Sequence, residues 1–506
     1  MKISQVKKNL LFNIISLVCN VLVGLYYTPY LVNSLGVEAY GVLPLALLLN
    51  HFVAVLTGSL TSSLTRFYSI ALQQKNFLEA SKSLSTSLVV VLCFAIFLIP
   101  LMGLLISKLN VFFNIPESLI GQAKLLFVFT IISFFISLLS TVFNITSYAN
   151  NRLDYLNVIK IERSFLKLLI VVFLFEASGY DLYKVGLANL SAEIIILITS
   201  LYFHFKLSEK NISISLFLFS KVSLYAIGGM TFWTIVHQFG DLAMYRLDNF
   251  IVNKFWGTSI SGALGALTEF GTYISIALSV ISSLFGPVIL RAYAKKNHVE
   301  VKRLSLCNTF IVGTLSAIVC GLIIANSGYI LEFWLDDSFL KFSNWLEIKL
   351  ASLPFFLASG ILAFTNRACN IIKWPAIFTI LLGVINAIIM ILVCYYGNYV
   401  NVISTIQVVL IISCVLTIIQ SYVIGMIFFL KSYPDSKRRS IIVTFKIVLV
   451  LVLTVFLSKI CMKFYIPGNL YSLFFILILQ GIFILMLSYY ILFSKEEKEN
   501  FLLLIR

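Results

Sequence analysis

Apolar runs repeat along the whole chain, and only short polar breaks separate them. Each run is long enough to cross a bilayer as a helix, which takes roughly 20 residues. About fourteen such runs are read, at 10–32, 40–72, 84–107, 123–149, 157–177, 183–205, 221–253, 262–292, 304–327, 346–369, 374–396, 402–430, 441–464 and 469–493. The longest breaks, Ser107–Lys124 and Ser327–Glu347, leave little room for an extramembrane catalytic domain. The pattern predicts an all-α polytopic membrane protein. The first run follows Lys7 and Lys8, as in a secretory leader, but it is too long and lacks a small-residue cleavage site, so it reads as the first span.

Composition agrees. Mean hydropathy is +1.01, 60% of residues are hydrophobic and 11% are charged, too little charge to cover a water-soluble surface of this size. The formal net charge of +16 does not point to nucleic acid here. Basic residues cluster in alternate breaks: roughly 28 of the 37 fall on one side of the membrane if both termini are cytoplasmic, against roughly 8 on the other. That bias predicts cytoplasmic termini. Eight single cysteines in or near apolar runs show no metal spacing, and neither a disulfide nor a cofactor is expected.

The chain also repeats itself. Leu31-Val32-Asn33-Ser34-Leu35-Gly36 matches Ile251-Val252-Asn253-Lys254-Phe255-Trp256-Gly257, and Arg66-Phe67-Tyr68-Ser69 matches Arg291-Ala292-Tyr293-Ala294, at offsets of 220 and 225. Arg152 and Lys373 fit the same spacing. The repeat predicts two six-helix lobes, 1–215 and 216–435, with two further helices in 436–506. An even number of helices per repeat keeps both lobes the same way up.

Polar residues at bilayer depth are costly and need a reason. Asn13, Ser16, Asn20, Gly24 and Tyr27 share one face of the first helix, which either packs by hydrogen bonds or lines a wet cavity. Thr57, Gly58, Ser59, Thr61, Ser62, Ser63, Thr65 and Arg66 place hydroxyls on more than one face of the second helix, favouring a solvated surface. In the seventh run, His237, Asp241 and Asp248 project within about 40° of one another on an ideal helix. They form a candidate proton or cation site. Arg246 lies on the opposite side from His237, and Glu269 is its candidate partner. Gly286-Pro287 predicts a kink in the eighth run. Glu193 falls in mid-helix 6. Arg66, Arg152 and Arg291 fall at inner helix ends, where arginine either anchors topology or, if the lobes converge, rings the mouth of a cavity suited to an anionic, phosphate-bearing substrate. No Walker lysine motif, nucleophile elbow, HExxH or paired metal motif is present, so an enzyme is disfavoured.

The element Leu35-Gly36-Val37-Glu38-Ala39-Tyr40-Gly41 between the first two helices, with Asp248-Asn249 before Ile251-Val252-Asn253, resembles the Wzx-type polysaccharide flippases of the multidrug/oligosaccharidyl-lipid/polysaccharide (MOP) superfamily. Ser261-Gly262-Ala263-Leu264-Gly265 is a looser copy of that pattern. The resemblance covers essentially the whole chain. It implies a MATE/MurJ-like bundle in a bacterial cytoplasmic membrane. The implied activity moves an undecaprenyl-pyrophosphate-linked oligosaccharide, such as an O-antigen or capsule unit, to the outer leaflet by alternating access. Substrate residues would then be Arg66, Arg291, Arg152, Asn20, Thr61 and Ser62. Ion-coupling residues would be His237, Asp241, Asp248 and Glu269, with H+ or Na+ as the ion. Membrane lipid and a polysaccharide polymerase are the implied partners. Two rivals stay open: a cation-coupled multidrug exporter of the same superfamily, and a membrane polysaccharide polymerase or ligase.

Overall fold

A computed structural model describes residues 3–48, 51, 55, 68–69, 71–72, 74–209, 211–371, 373–397 and 401–505. Among them the regular structure is helical, with no strand. Eleven of the described helices are long and apolar enough to span a membrane, and large apolar side chains such as Phe97, Phe205, Phe456 and Phe475 stand exposed along them, as lipid-facing surfaces require. The chain is a multi-pass membrane protein.

The eleven helices and the fourteen runs differ at three places. Run 40–72 lies largely outside the described residues. Runs seven and eight are counted as one apolar stretch, Ile235–Ser282. The helix holding run 157–177 carries too many charges to qualify.

By internal contacts the chain forms two compact units, Met1–Leu242 with Asp248–Gly265, and Ala243–Leu247 with Ala266–Arg506. Unit 1 contains α1 (Ile3–Tyr40), α2 (Phe77–Ser107), α3 (Glu117–Ala149), α4 (Leu153–Ser178), α5 (Leu182–Leu207), most of α6 (Lys221–Tyr245) and the start of α7 (Leu247–Ala294). α3 packs closely on α5 at Gly186, where a Cβ would lie 3.1 Å from Leu126 and Phe129. An extended strap crosses α2, with the Ser213, Ser215 and Ser220 backbone N–H groups donating to Ser81, Ser85 and Thr86 hydroxyls. Many other membrane hydroxyls return to a carbonyl one turn back, as Ser133 does to Phe129 and Ser140 to Ile136, so they cost little in lipid.

Unit 2 contains the rest of α7, α8 (His298–Ala325), α9 (Ser343–Ala351), α10 (Leu353–Ala368), α11 (Lys373–Gly397), α12 (Val402–Ile418), α13 (Ile424–Ser432), α14 (Lys437–Phe464), α15 (Leu470–Ile491) and α16 (Lys495–Ile505). α14 runs along α8 where glycines allow close approach: a Cβ on Gly321 would meet Thr454 at 2.8 Å. Ser458 joins α14 to its neighbours by accepting from Asn326 Nδ2 and donating to Gln480 Oε1. The backbone stays helical through Gly286 and Pro287; the non-helical residue inside α7 is Gly257.

Local geometry repeats along the chain. Gly36 (φ 77°) and Gly257 (φ 78°) break α1 and α7 at the same point, 221 residues apart. Lys75 (φ 56°) and Lys296 (φ 55°) recur at the same interval. Each is followed by an asparagine cap, Asn76 to Glu79 N–H and Asn297 to Glu300 N–H, both 3.1 Å. Each capped glutamate then pairs with a cation one turn on, Lys82 or Arg303. Asn151 (φ 54°) and Asn370 (φ 59°) turn the chain 219 residues apart. Read at 221, Arg291 corresponds to Ile70 and Arg66 to Pro287. The sequence match at 225 therefore joined residues that are one helical turn out of register.

Candidate functional site

Among the described residues, two places bring charged groups together inside apolar runs. In unit 1, α4 carries Lys160, Glu162, Arg163 and Lys167 inside its apolar run. Arg163 pairs with Glu193 of α5: a terminal guanidinium nitrogen donates to Oε2 at 3.1 Å, and Nε lies 2.8 Å from Oε1 as a close ionic contact without a hydrogen bond. Glu193 is 6% exposed, and the charge of Arg163 beside it offsets part of its desolvation. Thr199 donates to Glu162 at 2.9 Å on the other flank. Toward α1, Ser164 donates to Asn20 Oδ1, while Asn20 Nδ2 donates to the Ser16 carbonyl at 2.6 Å. Asn20 thus bonds across to α4.

Lys160 donates only weakly, to Asn157 Oδ1 at 3.5 Å. Lys167 makes no hydrogen bond or ion pair with any described residue. By the charge bias alone these cations are among the roughly 28 basic residues assigned to the cytoplasmic side. Their spacing of three and four inside a run was the signal that they are interior.

The second place is a break in the seventh run. α6 ends at Tyr245, Arg246 leaves the helix (φ −128°, ψ −16°), and α7 begins at Leu247. Unit 2 holds this segment from several directions. Asn386 Nδ2 donates to the Met244 carbonyl, and Tyr245 Oη donates to Gln420 Oε1. Gln420 sits in a π-helical turn, Ile419–Val423, a local widening found often at functional positions. Arg246 donates to Glu269 Oε1 at 3.3 Å and to Thr272 Oγ1 at 3.2 Å. Because the helix breaks between them, Asp248 does not continue the face of His237 and Asp241; this corrects the ideal-helix projection. His237 Nδ1 lies 3.1 Å from Asp241 Oδ2, with the two side chains 39% and 35% exposed. Asp248 is buried in the first turn of α7 and accepts from the Asn249 N–H.

Of the three expected arginines, Arg152 and Arg291 fall among the described residues. Arg152 is engaged with Asp154, by Nε at 3.0 Å and the terminal nitrogen at 2.9 Å, and lies over Tyr155. Asp154 is 1% exposed and also accepts from Gln5, with Lys8 3.2 Å away. Burial alone would raise its carboxyl, but hydrogen bonds and charge from Arg152 and Lys8 outweigh that and hold it below the usual carboxylate range. Arg152 is thus part of a knot tying α1 to α4. Arg291 is exposed in the last turn of α7. Arg66, Thr61 and Ser62 lie outside the described residues.

Just after the breaks at Gly36 and Gly257, the segments that follow meet. A Cβ on Gly262 would lie 2.5 Å from the Val37 carbonyl oxygen and 2.8 Å from Gly41 Cα, and one on Gly41 would collide with the Thr258 carbonyl. The contact is reciprocal at the 221-residue interval. Asn253, fully buried beside it, accepts from the Asn114 N–H and donates to the Asn114 carbonyl.

The lipid II flippase MurJ in an inward closed conformation superposes with a TM-score of 0.70 at 15% identity, covering 95% of this chain and 98% of that one. An inward-facing multidrug resistance MATE family transporter of the MOP superfamily gives 0.66 at 14% identity, covering 83% and 97%. The fold is that of MATE and MurJ transporters. No family model matches the chain. In sequence it is 27% identical over 389 residues, 74% of each chain, to EpsK of Bacillus subtilis (strain 168), an uncharacterized membrane protein. The structural neighbours are transporters or flippases, not enzymes.

Proposed function

We propose that the chain is a flippase that moves a polyprenyl-pyrophosphate-linked oligosaccharide from the cytoplasmic to the outer leaflet by alternating access. One observation carries this over a multidrug exporter. The membrane-embedded acids Glu193 and Glu269 are each bonded to an arginine, and α4 adds two lysines. That excess of cations suits an anionic substrate. The shared fold with a lipid II flippase supports a lipid-linked substrate.

In this reading the repeated halves, 1–215 and 216–435, rock as two six-helix lobes, and α14 and α15 hold the lipid tail. Arg291 and Arg66 meet the pyrophosphate at the cytoplasmic mouth, and Thr61, Ser62 and Asn20 belong to the sugar path. The membrane potential helps, because outward movement of each negative charge gains about 2.3 kcal/mol per 100 mV. His237 with Asp241, and Asp248, carry the returning H+ or Na+. Glu269 is neutralised by Arg246 and serves that pair instead. The test is complementation: Arg291→Ala at normal protein level should abolish surface polymer in a strain that depends on this chain. Wild-type polymer would remove Arg291 from the mechanism.

A further inference from the structure

We infer that Lys160, Arg163 and Lys167 of α4 form a pyrophosphate site inside unit 1, a station deeper than the cytoplasmic mouth; this rests on the flippase reading. α4 has 26 residues and is about 39 Å long, with Lys160 about 10 Å and Lys167 about 21 Å from its start. Lys167 is therefore at mid-helix, where a four-carbon stem reaches neither membrane surface. An ammonium at that depth needs water or an anion.

The helix geometry says which way both lysines face. Taking Arg163 as zero, Lys167 lies at about 40°, Lys160 at about 60° and Ser164 at about 100° around α4. Arg163 touches α5 through Glu193, and Ser164 touches α1 through Asn20. Both lysines thus fall in the wedge between those two contacts, on the protein side of α4. Glu162 points the other way, to Thr199. The wedge holds three cations and one carboxylate, an excess of two positive charges. A pyrophosphate diester, the linkage of a lipid-borne glycan, carries two negative charges. Glu193 is the resident competitor: it occupies Arg163 until an anion arrives, and the two lysines supply the attraction that displaces it.

The experiment measures binding of two probes, inorganic pyrophosphate and undecaprenyl pyrophosphate, to the full-length protein in zwitterionic nanodiscs. Lys160→Gln/Lys167→Gln should weaken both by tenfold or more, while Lys437→Gln/Arg438→Gln, which removes equal charge from an exposed surface, should not. Glu193→Gln should tighten both several-fold, a gain that misfolding cannot produce. Competition between the probes places the lipid headgroup at this site; inorganic pyrophosphate bound with no competition from the lipid would overturn that source. Wild-type affinity in the double lysine variant would overturn the site itself. Transport of lipid-linked glycan by that same variant at the wild-type rate would sink the site and leave the flippase reading intact. Absence of transport by the unmodified protein would sink the flippase reading alone.

Discussion

Gly262→Ala perturbs the reciprocal turn contact by one methyl group. The added Cβ would lie 2.5 Å from the Val37 carbonyl oxygen and 2.8 Å from Gly41 Cα. Both neighbours are backbone, so neither yields by changing rotamer. Overpacking of this kind costs about 1–3 kcal/mol. The cost falls only on the state in which the turns touch. If the outer end must open for release, the same energy raises the open population about 5- to 150-fold. The reporter is Ser261→Cys in a cysteine-free background, since Ser261 is fully buried beside the contact. Its rate of reaction with a membrane-impermeant maleimide added outside follows the open fraction. Gly262→Ala should raise that rate at least fivefold and Gly41→Ala should raise it further, whereas Gly103→Ala, which has nothing within 4 Å, should leave it unchanged. A lowered melting temperature with no faster labelling would refute the reasoning, because the contact would then be structural and not a gate.

Other perturbations give separate tests. Asp154→Asn should cost about 2–3 kcal/mol of thermal stability by leaving Arg152 and Lys8 without their carboxylate. Because the folded carboxyl is held low, that advantage is present above about pH 4 and is lost as pH falls through the folded value, so wild type and variant should converge in acid; a constant gap down to pH 2 would contradict it. Glu269→Gln should destabilise by about 2–3 kcal/mol, and the Arg246→Met/Glu269→Met pair should recover most of the loss, measured by thermal unfolding in detergent. Glu497→Gln frees Lys446 and the Ser494 N–H, and should make α16 cleavable by protease before the rest of the chain unfolds.

Much of the fold was readable from residue pattern because membrane helices announce themselves by length and apolarity. Arg246 and Glu269 were paired in advance by position alone. The break at Arg246 was not readable: nothing in Tyr245-Arg246-Leu247 resembles a helix breaker, and the break is held by tertiary partners, Asn386, Gln420 and Glu269. Asp248 was misplaced for that reason. The pairing of Arg152 with Asp154 was not readable, because the two are only two residues apart and a helix start must turn to bring them together. The α4 cations are legible as a three-and-four spacing inside run 157–177, but charge near the cytoplasmic end of a run equally serves topology, so sequence alone does not separate the two.

The most direct measurement of the central claim is transbilayer movement of an undecaprenyl-pyrophosphate-linked oligosaccharide in proteoliposomes holding the purified chain. The readout is glycan becoming accessible to an impermeant glycosidase. The expected result is rapid, protein-dependent exposure that speeds up with a potential drawing negative charge across. Contradiction would be exposure no faster than in protein-free liposomes, together with export of a lipophilic cationic dye driven by a proton gradient.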